Sequence, residues 1–124
     1  MITGTGIDMI EVVRVAKRIS SKYGFREKVF SANEITYCEL QKNKAESYAA
    51  RFAAKEAFLK ATGKGLYLGY ELHEIEIVND AAGKPSIHLT GNFKKIAKKK
   101  NWNKIHVSLS NLGSMACAMV IIEK

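Results

Sequence analysis

The chain has 124 residues, 47% of them hydrophobic and 26% charged, a balance typical of one folded domain and unlike that of a disordered chain. Lys and Arg outnumber Asp and Glu by 20 to 12, and the resulting net charge of +8 favours an anionic partner: nucleic acid, a nucleotide or an acidic protein. Cys38 and Cys117 lie far apart without a Cys/His cluster at zinc spacing, so neither a disulfide framework nor a zinc site is predicted.

The first half of the chain is predicted to be mainly helical. Apolar residues recur with helical spacing in two segments, and Glu34 stands three residues after Ser31, where it can complete a capping box. No secretion signal or membrane-spanning run is recognised, so we expect a cytoplasmic protein without membrane association. The predicted elements are a strand over residues 2–8, an amphipathic helix over 10–22, a helix from about residue 31, and a long helix over 44–62 that ends at Gly63.

The second half is predicted to contain strands around one further helix. Alternating apolar and polar residues indicate strands over 72–78 and 105–109, a short extended segment covers 85–89, and residues 92–100 form a basic amphipathic helix. Residues 115–122 are a continuous apolar run, which predicts a strand covered on both faces. We expect one α+β domain over residues 1–124, with a mainly antiparallel sheet and the long helix packed on it.

Glu56 interrupts the apolar stripe of the long helix. An unpaired carboxylate in apolar surroundings costs several kcal/mol, so a nearby cation is expected. Lys60 lies one turn further on, and a Glu56–Lys60 salt bridge within the helix is the simpler interpretation. The apolar stripe consists of Tyr48, Ala49, Phe52, Ala53 and Leu59.

Asp8 lies at the predicted junction of the first strand and the first helix, where its simpler role is to cap the helix N-terminus. A hard cation is the alternative that unites Asp8 with Glu56. Mg²⁺ is usually held by one or two carboxylates, with water and substrate phosphates as its other ligands.

Gly63, Lys64 and Gly65 follow the long helix. Two glycines allow a close backbone approach and Lys64 adds positive charge, so a phosphate could bind there. A glycine at this position more often only ends a helix, and the spacing is not that of a Walker P-loop.

Two motifs resemble those of the holo-acyl-carrier-protein synthase family of 4′-phosphopantetheinyl transferases. The first runs from Gly4 to Asp8 with Arg14 six residues later, and the second is Arg51-Phe-Ala-Ala-Lys-Glu-Ala-Phe-Leu-Lys-Ala-Thr-Gly-Lys-Gly65. The resemblance continues through Gly83–Pro85 and His106–Ser110. It implies transfer of 4′-phosphopantetheine from coenzyme A to a serine of an apo-acyl carrier protein, with release of 3′,5′-ADP, by a homotrimer with active sites between subunits.

The same resemblance assigns roles to individual residues. Asp8 and Glu56 become the expected Mg²⁺ ligands, and Lys60 the residue that contacts the transferring phosphate or orients its neighbours. The residues expected around coenzyme A are Arg51, Phe52, Lys55, Gly63 and Lys64, together with Gly83, Lys84 and Pro85, which another subunit could supply.

Asn111 stands where the family usually has a histidine, after the Ser-x-Ser step. Asparagine exchanges hydrogen bonds but is no physiological acid or base, so proton transfer by that histidine is not carried over. His106 is interpreted as a structural strand residue.

The basic face of the first helix consists of Arg14, Lys17, Arg18 and Lys22, and Arg26 and Lys28 extend it. An ordinary solvated face is the simpler interpretation, and a dock for an acidic carrier helix is the functional one.

Two other functions compete with the transferase. A nucleic-acid-binding module would use the net charge and the lysines of residues 94–100 near Trp102, although no base-reading motif accompanies them. A catalytically silent member that only binds coenzyme A would explain Asn111.

Overall fold

The computed structural model describes residues 1–63 and 71–124. A 3₁₀ turn at Leu72–Glu74 precedes the second strand. No helix within these ranges has the length and apolar character that crossing a membrane requires. The elements in chain order are β1 (Ile2–Glu11), α1 (Val12–Ile19), α2 (Phe25–Val29), α3 (Ala32–Glu39), α4 (Lys44–Ala61), β2 (Ile75–Asn79), β3 (Pro85–Leu89), α5 (Gly91–Lys100), β4 (Lys104–Asn111) and β5 (Met115–Glu123).

The described strands pair antiparallel in two separate sheets. β5 lies between β1 and β4 in a three-stranded sheet, and β2 pairs with β3 in a hairpin. α4 packs across the three-stranded sheet, against β1 and β5. The predicted α+β architecture, an antiparallel sheet carrying a long helix, is confirmed.

α4 is enclosed on nearly all sides, which explains why its apolar residues do not keep to one stripe. Ala57 and Phe58 pack with Val120 and Ile122 of β5 in one core cluster. Tyr48 and Ala49 belong to a second cluster, which includes residues of α1, α2 and α3. A charged residue on this helix therefore either points through a gap between its neighbours or is buried.

The local signals at helix ends are confirmed. Ser31 caps α3, and the side chain of Glu34 accepts a hydrogen bond from the Ser31 N–H, so both halves of the capping box are present. Gly63 follows the last turn of α4 with a φ of +81°, and its N–H donates to the carbonyl oxygen of Lys60 at 3.0 Å.

Element boundaries differ from the prediction at three places. β1 continues to Glu11, because its ladder with β5 extends to the pair Glu11 and Met115, so α1 begins at Val12. The five-residue helix α2 is too short to show helical periodicity and was not predicted. Leu72–Glu74 form a 3₁₀ turn instead of the start of a strand.

The prediction that β5 is covered on both faces is wrong for the single chain. Ala116, Ala118, Val120 and Ile122 are buried against the core, whereas Met119, which points the opposite way, is 45% exposed. Within residues 1–63 and 71–124, the long helix covers one face of the three-stranded sheet, and Met119 lies on the other.

Candidate active site

β1 and α4 approach each other closely at Gly4 and Gly6. A Cβ atom on Gly4 would lie 1.9 Å from the carbonyl oxygen of Ala61, and one on Gly6 would lie 1.9 Å from that of Ala57. Neither position therefore has room for a side chain. Asp8 is the next residue on the same face of β1, because alternate residues of a strand point the same way. Its side chain consequently faces the last turns of α4.

Lys60 joins the last turn of α4 to β1. Its Nζ donates hydrogen bonds to Oδ1 of Asp8 at 3.0 Å and to the carbonyl oxygen of Ile7 at 2.9 Å. The side chain of Asp8 is only 16% exposed, whereas that of Lys60 is 53% exposed. The ion pair is therefore open to solvent on the lysine side.

Both simpler interpretations of the acidic residues are wrong. The Glu56–Lys60 salt bridge does not form: within residues 1–63 and 71–124, no cationic nitrogen lies within 4.0 Å of the Glu56 carboxylate. Asp8 does not cap α1, because it lies inside β1 and the N-cap position is Glu11.

The Glu56 carboxylate is half-buried and close enough to Asp8 to be repelled by it. Burial raises the pKa of Glu56 most and the charge of Asp8 raises it further, while the charges of Lys60 and Arg18 lower it. Two neighbouring carboxylates with incomplete compensation are a setting that a divalent cation stabilises. The donor set, two carboxylates without histidine, fits Mg²⁺.

A cavity of about 390 Å³ adjoins the ion pair. Its lining combines the Asp8 and Lys60 side chains with apolar groups of the outer sheet face, and such a mixture suits a ligand with one charged and one apolar part. The lining residues are Ile7, Asp8, Met9, Lys60 and Cys117.

A separate groove contains several of the residues expected around coenzyme A. Two cavities, of about 340 and 370 Å³, share Asn79 and Leu109 in their linings. Arg51 and Asn111 line the first, and Gly83–Pro85 line the second. None of these residues lines the cavity beside Asp8 and Lys60. In a single chain, therefore, the groove of Arg51 and Gly83–Pro85 is a different site from that of the acid pair, Asp8 and Glu56.

Arg51 lies at the floor of this groove. It is almost completely buried, its Nη2 donates a hydrogen bond to Oδ1 of Asn79, and its guanidinium carbon is 4.1 Å from the centre of the Tyr37 ring. Its Nε has no hydrogen-bond partner among the described residues. The groove thus has a fixed positive charge whose buried Nε–H is not satisfied by the described residues.

Phe52 and Lys55 are both enclosed by protein in the single chain. The Phe52 ring packs in the core, 5.8 Å from that of Phe25. The Lys55 side chain is fully buried, and its Nζ donates hydrogen bonds to Glu34 and to two backbone carbonyls. Their place around coenzyme A stays a prediction. A sequence motif fixes the order of residues but does not show which way each side chain points.

The remaining expected coenzyme A residues lie after α4. Gly63 is exposed in the turn that follows the helix. Lys64 lies outside the described residues, so its contact with coenzyme A stays a prediction.

His106 and Asn111 occupy opposite ends of β4. His106 Nε2 lies 2.7 Å from Oε2 of Glu123, and Glu123 pairs with Ile2, at the end of β1 away from Asp8. His106 is thus a strand residue distant from the acid pair, as expected. Asn111 lies in the groove of Arg51.

Sequence reasoning missed two polar partners, Asn79 of Arg51 and Glu34 of Lys55. A signal for the second was present: Lys55 belongs to the same enclosed helix as Glu56 and needs a counter-ion for the same reason. Glu34 was interpreted only as part of a capping box.

The basic face of α1 borders the acid pair. Arg14, Lys17, Arg18 and Lys22 are exposed, and the charge of Arg18 lowers the pKa of Glu56. Lys28 is also exposed. Arg26 does not extend this face freely, because it pairs with Glu27 at 2.9 Å and with Glu39 at 3.4 Å.

Comparison with known proteins identifies the class. The model of the 4′-phosphopantetheinyl transferase superfamily matches residues 4–120, and the chain therefore belongs to this superfamily of transferases. Its relatives narrow the assignment to the holo-[acyl-carrier-protein] synthase family. The synthase of Cytophaga hutchinsonii is 47% identical over 126 residues, covering 100% of this chain and 99% of that protein. That of Geotalea daltonii is 43% identical over 125 residues, with 100% of both chains covered.

Solved structures of the same family share the fold. The holo-[acyl-carrier-protein] synthase of Neisseria meningitidis superposes with a TM-score of 0.90 at 28% identity, over 100% of both chains. The synthase of Bacillus anthracis in complex with CoA (3′,5′-ADP) gives a TM-score of 0.82 at 33% identity, over 100% of this chain and 98% of that chain.

Proposed function

We propose that this chain transfers 4′-phosphopantetheine from coenzyme A to a serine hydroxyl of an apo-acyl carrier protein, with Mg²⁺ as cofactor, and releases 3′,5′-ADP. The reaction takes place in the cytoplasm and serves fatty acid synthesis. One observation carries this proposal: Asp8 of β1 and Lys60 of α4 form an ion pair that lines a cavity, and the Glu56 carboxylate is near enough to both to feel their charges. The relatives named as holo-[acyl-carrier-protein] synthases and the coenzyme A ligand of the Bacillus anthracis structure support the choice of substrates.

The serine oxygen forms a bond to the β-phosphorus of coenzyme A. The bond from this phosphorus to the oxygen bridging to 3′,5′-ADP breaks, and its electron pair leaves with the nucleotide. Such transfers depend on positioning and on charge stabilisation. The Lys60 ammonium, half exposed at the cavity, stabilises charge on the transferring or departing oxygens.

Asp8 and Glu56 would hold Mg²⁺. When bound, the ion neutralises diphosphate charge and acts as a Lewis acid. The two carboxylates provide oxygen ligands from one protein face, and the cavity beside them provides space for the diphosphate.

The proton of the serine hydroxyl has two candidate acceptors, Glu56 and a water molecule held beside it. Glu56 is half-buried beside Asp8, so its carboxylate lies at the proposed cation site as a candidate acceptor. Asparagine is no physiological acid or base, and His106 contacts Glu123 at the end of β1 away from Asp8, so neither Asn111 nor His106 is assigned proton transfer.

A homotrimer completes the site in this proposal. The acid pair and the groove with Gly83, Lys84 and Pro85 are separate in one chain, so contact between the two requires a second subunit. The uncovered sheet face exposes neighbouring apolar side chains, with Ile7 at 66%, Met9 at 67% and Met119 at 45% exposure. A contiguous apolar patch of this kind is typical of an interface.

The carrier protein is proposed to dock on the basic face of α1. Arg14, Lys17, Arg18 and Lys22 form this face, and it borders Glu56 through Arg18. An acidic carrier helix would be attracted by this charge and would bring its serine towards the acid pair.

One assay tests the proposed function. The protein is incubated with an apo carrier protein, coenzyme A and Mg²⁺, and the carrier is weighed by mass spectrometry. The expected result is a gain of one phosphopantetheine, which EDTA abolishes and added Mg²⁺ restores. Binding of coenzyme A without a gain in mass would instead indicate a silent member of the family. Binding of DNA or RNA without either would indicate a nucleic-acid module.

A further inference from the structure

Lys55 is a buried cation that the proposed chemistry leaves unused. Its ammonium has three N–H donors, and the acceptors are Oε1 of Glu34 at 2.7 Å, the carbonyl oxygen of Leu72 at 3.0 Å and that of Ile75. All three donors are occupied within the protein. A direct role in binding phosphate would require at least one of these bonds to break.

Glu34 compensates the positive charge of Lys55, and both of its carboxylate oxygens accept hydrogen bonds. Its Oε1 also accepts the N–H of Ser31 at 3.0 Å, and its Oε2 accepts the N–H of Ile77 at 3.0 Å. A buried ion pair is tolerated when hydrogen bonds satisfy both members, and removing one member leaves an uncompensated charge. The Lys55–Glu34 pair therefore connects α4, the N-terminus of α3 and β2.

The connection continues along β2. Arg51 lies one turn before Lys55 on α4 and donates a hydrogen bond to Asn79, at the end of β2. The Asn79 side chain in turn donates to the carbonyl oxygen of Gly83, in the turn before β3. Lys55 thus contacts the first residue of β2, Ile75, and Arg51 contacts its last residue, Asn79, next to the hairpin turn.

Among the described residues, the β2–β3 hairpin has no ladder to the three-stranded sheet. Its position therefore depends on side-chain contacts, which include the apolar packing of Ile75 and Ile77 and the polar contacts from α3 and α4. Hydrogen bonds to a buried charge add directional constraints to this packing, because a buried polar group that loses its partner is costly. The polar contacts consequently define the location of Gly83–Pro85 relative to α4.

Lys55 and Glu56 are neighbours on α4, but their side chains face different strands. Lys55 points to β2, and Glu56 points towards Asp8 on β1. We infer that Lys55, with Glu34 as its counter-ion, is a positioning residue that fixes the Gly83–Lys84–Pro85 hairpin for binding coenzyme A. This inference rests on the proposed function, because it assumes that this hairpin contacts coenzyme A.

The test uses the double variant Lys55→Met, Glu34→Gln, which removes both charges together. Replacing a buried ion pair by neutral side chains is often tolerated, whereas Lys55→Met alone leaves Glu34 unpaired and could unfold the protein. Lys99→Met, an exposed lysine of α5, is the matched control. Each variant is checked for folding by near-UV circular dichroism and for assembly by sedimentation.

The measured quantities are the Kd for coenzyme A by calorimetry, the KM for coenzyme A and for the carrier, and kcat. The double variant is expected to raise the Kd and KM for coenzyme A about tenfold, while kcat at saturating coenzyme A and the KM for the carrier change little. The control is expected to match the wild type. If the double variant does not fold, Lys55→Arg, which keeps the charge but displaces β2, is expected to show the same change.

A folded variant with the wild-type Kd for coenzyme A would overturn the inference. Equal losses for coenzyme A and carrier would also overturn it, since they would show general damage. If the wild type binds coenzyme A but transfers nothing, the proposed function fails, and the Kd comparison still decides the role of Lys55.

Discussion

Lys60 Nζ and Asp8 Oδ1 lie 3.0 Å apart although 52 residues separate them in the chain. The glycines of β1 make this contact available, because they allow the strand to lie directly on the backbone of α4. Glu56, one turn before Lys60, is thereby placed beside Asp8 as well.

Removing either acid should abolish transfer. Glu56→Gln and Asp8→Asn are each expected to lower kcat/KM by about 100-fold or more, because each removes a ligand of the proposed cation and Glu56→Gln also removes a candidate base. Transfer is measured as the gain in carrier mass. Glu11→Gln, an exposed residue of β1, is the control. Unchanged turnover in Glu56→Gln would refute the metal site.

The same glutamate should make the metal-free protein less stable at neutral pH than at acid pH. The folded state raises the pKa of Glu56, so it binds a proton more tightly than the unfolded state does. Stability is therefore lost as pH rises from about 4.5, the ordinary value, through the raised value. Glu56→Gln should increase Tm near pH 8 without metal and have little effect near pH 4. Thermal melts of both proteins in EDTA across this range test the sign, and a lower Tm of the variant near pH 8 would contradict it.

A methyl group on Gly6 should separate β1 from α4. The added Cβ would meet the Ala57 carbonyl oxygen at 1.9 Å, so Gly6→Ala is expected to cost about 1–3 kcal/mol in the free energy of unfolding and to reduce transfer. Gly113→Ala is the control, because the nearest atom to its Cβ would lie 3.8 Å away. Urea denaturation and the mass assay measure the two effects. Equal stability of both variants would show that the strand and helix are not in tight contact.

Charge removal on α1 should affect the carrier more than coenzyme A. Arg14→Ala and Arg18→Ala are each expected to raise the KM for the carrier a few-fold, since exposed charges contribute about 1 kcal/mol or less. The effect should diminish as salt increases. Lys99→Ala tests for a general effect of charge. Equal increases in the KM for coenzyme A and for the carrier would argue against this docking face.

A charge on the uncovered sheet face should prevent assembly. Met119→Glu is expected to convert a trimer into monomers and to abolish transfer, because the groove of one subunit would no longer meet the acid pair of another. Leu40→Glu, at an exposed apolar residue directly after α3, is the control. Analytical ultracentrifugation gives the masses. A monomeric wild type with full activity would contradict the proposed assembly.

The sequence predicts those features that depend on neighbours in the chain. The capping box of Ser31 and Glu34 and the termination of α4 at Gly63 depend on a few adjacent residues, and both are found. Features that depend on tertiary contacts were harder to predict from the sequence. The long helix is buried nearly all round, so periodicity did not reveal that Lys55 is buried and Glu56 partly open.

For the same reason, the sequence predicted some features of the candidate site and missed others. Glu56 was noticed because a carboxylate among apolar residues requires a partner, and the structure places it beside Asp8. Phe52 and Lys55 were assigned from a motif, which carries no information on direction. The separation of the groove from the acid pair depends on the packing of the hairpin, and no local pattern shows it.

The contact of Gly6 with Ala57 also limits movement of the proposed site. The backbones of β1 and α4 cannot come closer there, because the Ala57 carbonyl oxygen already occupies the place of a Cβ atom. If Asp8 and Glu56 hold a cation, as proposed, an ion of different radius would be accommodated by rotamer changes of the two acidic side chains and not by movement of the strand towards the helix.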